Sequence, residues 1–163
     1  MTHPPFLPLR RAAGWLLASV PVASLVGGCA ADPALAPSLY LRLGGAAQVV
    51  AVVDRAIGRA AADPRTQRSF DGIKLQPVKD SLAQQICALS GGGCRYEGAS
   101  MADAHRDARI RASEFDALVT ILREELDRAG IDAGAKNELL RLLAPMKRDI
   151  VAARPETPQA PRP

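Results

Sequence analysis

The sequence predicts an all-α domain, and three observations carry that reading. Apolar residues recur at helical spacing in four segments, no segment sustains period-two alternation, and Gly, Pro or a capping residue marks the boundaries. The first helix follows Gly44-Gly45, carries Val49, Val50, Val52, Val53 and Ile57, and ends at Asp63-Pro64. Val49-Val50-Ala51-Val52-Val53 is β-branched enough for a buried strand. The alanines and arginines running on to Ala62 favour helix, and a lone strand would have no partner in this chain.

A second helix covers 75–89, with Leu75, Val78, Leu82, Ile86 and Leu89 on one face and Gly91-Gly92-Gly93 as its stop. Ser113-Glu114-Phe115-Asp116 resembles a capping box, with Asp in the reciprocal position. It opens a helix striped by Leu118, Ile121, Leu122, Glu125 and Leu126 and closed by Gly130. Asp132 caps the last helix, whose apolar side is Leu139, Leu140, Leu142, Leu143 and Met146. Pro145 removes a backbone donor there and should bend it.

The ends differ in character from this body. Arg10-Arg11, an apolar run from Ala12 to Leu25 and then Val26-Gly27-Gly28-Cys29 have the parts of an export signal. The run is short and broken by Pro21, which argues against a membrane span. A cysteine after small residues resembles the lipobox of bacterial lipoproteins. That resemblance implies a signal peptide over 1–28, lipidation of Cys29 and, with Ala30 next, retention at the periplasmic face of the outer membrane. An ordinary cleaved signal is the alternative, and the arginine pair suits either general or twin-arginine export. Residues 29–37 then read as a tether, 38–152 as the domain, and the Pro-rich 153–163 as a disordered tail.

Without the leader, Arg10 and Arg11 drop out of 21 basic residues, leaving nineteen against seventeen acidic ones. These charges are interspersed, so the chain carries no nucleic-acid footprint. Cys87 and Cys94 stand seven apart across three glycines, and in an oxidising compartment they are expected to form a disulfide; two unrelated thiols are the alternative. Cys87 lies about 140° around its helix from Leu82.

Outside the leader His105 is the only histidine, which rules out a hydrolytic triad from two and a zinc site built of histidines. Glu124-Glu125 and Asp107 are expected on solvated helix faces, and the glycine run lacks the Lys-Ser or Lys-Thr of a phosphate loop. A single imidazole can still be the one protein ligand of a heme iron.

The order Leu39-Tyr40-x-Arg42-Leu43-Gly44-Gly45, Ala62-Asp63-Pro64, Phe70-x-Gly72, Tyr96-x-Gly98, Met101-x-x-Ala104-His105 and Phe115 resembles the group 1 truncated hemoglobins over about 38–151. The resemblance implies a two-over-two helical sandwich holding heme b, with His105 as proximal iron ligand. It places Phe70 at the heme edge, and Met101, Ala104, Ile110, Phe115, Leu118 and Leu75 in the walls.

The chain departs from the family on the opposite side. Ala56 and Ile57 stand where that family carries a Phe-Tyr pair, Val78 and Leu82 where it often has a polar residue, and Ser81 where a basic residue meets a propionate. Lys79 is the nearest basic substitute. A hydrogen bond stabilises bound dioxygen by about 1–3 kcal/mol in a dry pocket, and Ile57, Val78 and Leu82 can donate none. The expectation is a five-coordinate ferrous heme, reversible binding of O2, NO or CO, and fast O2 release. A heme redox enzyme acting on NO, peroxide or nitrite, and a heme-free helical lipoprotein, are the rival readings.

Overall fold

A computed structural model describes residues 36–151, and every element among them is helical apart from one isolated bridge between Ile110 and Val151. The expected signal peptide 1–28, Cys29 with most of its tether, and the 153–163 tail lie outside the described residues. No described helix is long and apolar enough to cross a membrane.

The helices are α1 (Leu39–Arg42), α2 (Gly45–Ala62), α3 (Leu75–Leu89), α4 (Met101–His105), α5 (Ala112–Arg128), α6 (Ala133–Leu143) and α7 (Lys147–Ile150). A 3-10 turn, Gln67–Phe70, precedes α3, and a second, Ala144–Met146, carries Pro145 between α6 and α7. The α2–α3 pair packs over α5–α6, with α2 against both α3 and α5, while α4 packs on α7.

Gly44 and Gly45, at φ 88° and 68°, make the sharp turn into α2. The face of α2 that enters the core is Val49, Val52, Val53, Ala56, Ile57 and Ala60. Val50, expected on that stripe, is exposed, because it falls about 100° from Val49 on a helix that buries positions three and four apart. Thr66 ends α2 from inside the core, its hydroxyl donating to the Ala60 carbonyl at 2.5 Å.

The cap of α5 lies two residues earlier than Ser113. Arg111 is the cap, and Glu114 reaches back to accept its backbone N–H at 2.7 Å. Asp132 caps α6 as expected, accepting from the Ala135 N–H at 2.9 Å. Asp116 instead accepts from the Lys147 ammonium, tying α5 to α7.

Glu125 is not on a solvated face. Its side chain is 1% exposed and is held by Arg59 at 2.6 Å, Arg55 at 3.0 Å and Arg128. Arg55 and Arg59 belong to α2, so a buried carboxylate on α5 fastens the two layers at their crossing.

Candidate functional site

His105 ends α4, a five-residue helix capped by Ser100, whose hydroxyl accepts from the Asp103 N–H at 3.1 Å. Its Nδ1 lies 2.8 Å from the Met101 carbonyl, one turn back on the same helix. A carbonyl only accepts, so Nδ1 carries the hydrogen and the neutral ring keeps its lone pair on Nε2. The half-buried imidazole is thus oriented as a metal ligand is, by a hydrogen bond on its far nitrogen.

Among the described residues no three His, Cys, Asp or Glu side chains gather as a metal site. One imidazole alone does not hold a bare ion, so a metal at Nε2 has to bring its other ligands with it. A porphyrin meets that requirement, and the donor set fits one.

The chain leaving His105 is fixed at several points. The Ala108 N–H donates to the His105 carbonyl at 3.1 Å, and Arg109 then takes a left-handed φ of 49°. Arg68 donates to the Arg109 carbonyl at 3.0 Å and grips Glu114 through two nitrogens at 2.7 and 2.5 Å. Burial would raise the Glu114 carboxyl, but first the Arg68 hydrogen bonds, and then the Arg111 N–H, hold it below the ordinary range. Arg68 sits two residues before Phe70, so one guanidinium ties the Phe70 corner to the segment after His105.

On α3, Val78 and Leu82 are half-buried and packed on the core, as are Leu75, Phe70 and Leu118. Ile57 is 1% exposed, so it backs this wall instead of forming its open surface. Ile110 is buried in its bridge to Val151, Ala104 is exposed, and half-buried Phe115 has the Lys147 ammonium 5.7 Å from its ring centroid. Lys79, expected as a propionate partner, is bound to Asp54 on α2 at 2.6 Å, because its position turns it toward α2 and away from the Val78–Leu82 face. A cleft of about 540 Å³ opens at the Phe70 corner between Phe70, Leu75, Ile73 and the polar Gln67, Arg68 and Asp71. Its lining includes neither His105 nor Val78.

Cys87 and Cys94 are joined by a disulfide, with Cα atoms 5.6 Å apart. Tyr40 packs against this bridge: a Cβ on Gly92 would fall 2.6 Å from both the Tyr40 ring and the Cys87 sulfur, so position 92 admits only glycine. The Tyr40 N–H also donates to the Ser90 carbonyl at 2.8 Å. Beyond the bridge, Ser81 and Tyr96 hydroxyls meet at 3.3 Å, and the tyrosine donates to the Ala99 carbonyl at 3.1 Å. The loop from α3 to α4 is therefore pinned at both ends, which sets where α4 presents His105.

Residues 38–152 match the family described as Bacterial-like globin. A group 1 truncated hemoglobin of Tetrahymena thermophila is 26% identical over 115 residues, spanning 71% of this chain and 95% of its own. Another, from Mycolicibacterium paratuberculosis, is 29% identical over 120 residues, spanning 74% of this chain and 86% of its own. Among solved structures, the 2/2 hemoglobin of Synechococcus in the cyanomet state, with covalently attached heme, superposes with a TM-score of 0.66. Its identity is 27%, over 71% of this chain and 98% of that one. With a truncated two-over-two globin fold and a family match that runs across residues 38–152, the chain belongs to the bacterial-like globin family.

Proposed function

We propose that this protein binds heme b through His105 and holds a diatomic gas, O2, NO or CO, reversibly. The observation that carries the reading is the 2.8 Å hydrogen bond from His105 Nδ1 to the Met101 carbonyl, which leaves Nε2 as a directed donor of its lone pair. The similar proteins named as truncated hemoglobins, and the one described with attached heme, support it. Heme would supply an iron that His105 could ligate and that could bind a small gas.

The chain's own residues do the rest. The Met101 carbonyl fixes the imidazole plane and, in the neutral ring, the tautomer that leaves the Nε2 lone pair free. Val78 and Leu82 carry no lone pair, so neither would compete with a gas for the iron. Phe70, Leu75 and Leu118 extend the apolar surface that keeps water away. Ile57 stands behind them as rigid core. In the same reading Cys29 carries a lipid that tethers the domain at the periplasmic face of the outer membrane. The support there is the order of basic residues, apolar run, small residues and cysteine.

Hemin titration tests the function. One equivalent should saturate a Soret band, and the ferrous form should be high-spin and five-coordinate. Absence of the band would leave a heme-free helical protein, and a low-spin, bis-ligated ferrous spectrum would refute the open position.

A further inference from the structure

His105 stands on a helix that cannot hold itself. α4 has five residues, none of them buried, and a helix so short is marginal without tertiary support. The element it packs on most is α7, which has four residues and likewise buries none of them. Two such helices stand only by leaning on each other and on what fastens them from outside. Val151, directly after α7, forms the parallel bridge with Ile110, which is buried five residues beyond His105. At the other end of α7 the Lys147 ammonium donates to the Asp116 carboxylate on α5 at 2.6 Å. The same ammonium lies 5.7 Å from the ring centroid of Phe115, the preceding residue of α5. One cation therefore holds α7 to α5 through a carboxylate and a ring at once, and α7 supports α4.

We infer that residues 147–151 are a strap over α4, that Lys147 is its latch and a positioning residue for His105, and that opening of the strap sets how fast heme is lost. The last part rests on the heme reading above. Elements with few buried contacts open locally, well below the cost of global unfolding, and α4 and α7 open as one unit because each is the other's support. When Lys147 lets go of α5, α7 is freed, α4 loses what it rests on, and the imidazole loses its fixed place. The Lys147 and Asp116 side chains are 40% and 60% exposed, so salt reaches the latch and screens it.

The test follows hydrogen–deuterium exchange and hemin loss in the full chain. It compares wild type with Lys147→Met, Asp116→Asn, the conservative Lys147→Arg and the control Arg123→Met, an exposed position of α5. In Lys147→Met, amide exchange should rise about 5-fold in 101–105 and 147–151 together, while α2 exchanges as in wild type. Hemin transfer to an acceptor globin should quicken by about the same factor, and the iron–imidazole stretch in resonance Raman should broaden. Asp116→Asn should act in the same direction, whereas Lys147→Arg and Arg123→Met should match wild type. Salt at about 0.5 M should narrow the gap between wild type and Lys147→Met. Faster exchange in 147–151 with 101–105 unchanged would overturn the strap, as would wild-type hemin loss in Lys147→Met. The exchange measurement needs no heme. A protein with no Soret band in which 101–105 and 147–151 still open together would refute the heme reading and leave the strap standing.

Discussion

Glu125→Gln is the sharpest probe of how the two helical layers are held. The native carboxylate is 1% exposed and receives Arg59 at 2.6 Å, Arg55 at 3.0 Å and Arg128. Hydrogen bonds to a charged group are worth about 1.5–3 kcal/mol each. Two effects reduce their sum: the three arginines are 36–55% exposed and screened by water, and burying the carboxylate carries its own desolvation cost. Glutamine keeps the volume and one acceptor but turns an NH2 toward a guanidinium. The net loss should be about 2–3 kcal/mol, or about 8–12 °C in Tm for a domain of this size. Burial pushes the Glu125 carboxyl up, but the hydrogen bonds from Arg59 and Arg55 and the charge of Arg128 outweigh it and hold it below 4.5. Its stabilisation is therefore fully present above about pH 4.5 and is lost as pH falls through the depressed native value. Thermal melts by circular dichroism from pH 7 to pH 3 should show the gap between wild type and variant closing with acid. A variant within about 2 °C of wild type at pH 7, or a gap that persists at pH 3, would refute the reasoning.

Two other predictions concern the cysteines. Replacing Cys87 and Cys94 together by serine opens a short loop and should lower stability by about 2–3 kcal/mol on the chain-entropy model. Hemin loss should quicken as well, because the loop leads to α4. Denaturant melts and hemin transfer to an acceptor globin report both, and unchanged values in both would contradict the pinned loop. For Cys29→Ser, palmitate labelling in a bacterial host should vanish and the protein should leave the membrane fraction; wild type without label would end the lipid-anchor proposal.

Long helices were readable in the sequence because their signals are local. Periodicity together with Gly and Pro places α3 at Leu75–Leu89 and closes α2 before Asp63. Short elements carry little periodicity, so α1 and α4 emerge only in the structure, and the α5 cap is Arg111 in place of Ser113 because Glu114, three residues on, closes the box there. Charged side chains were the least readable. Lys79 pairs with Asp54, 25 residues away, and Glu125 with Arg55 and Arg59, 70 and 66 residues away, pairings that no local spacing reveals; only the Arg128 contact, three residues along the same helix, is local.

Ligation by His105 is the central claim, and imidazole rescue tests it most directly. His105→Gly, reconstituted with hemin and reduced, should lose the five-coordinate histidine spectrum and its iron–imidazole stretch by resonance Raman. Millimolar free imidazole should restore both, since the cavity left by the side chain admits the same ring. A His105→Gly protein that keeps the wild-type stretch without added imidazole would contradict the account.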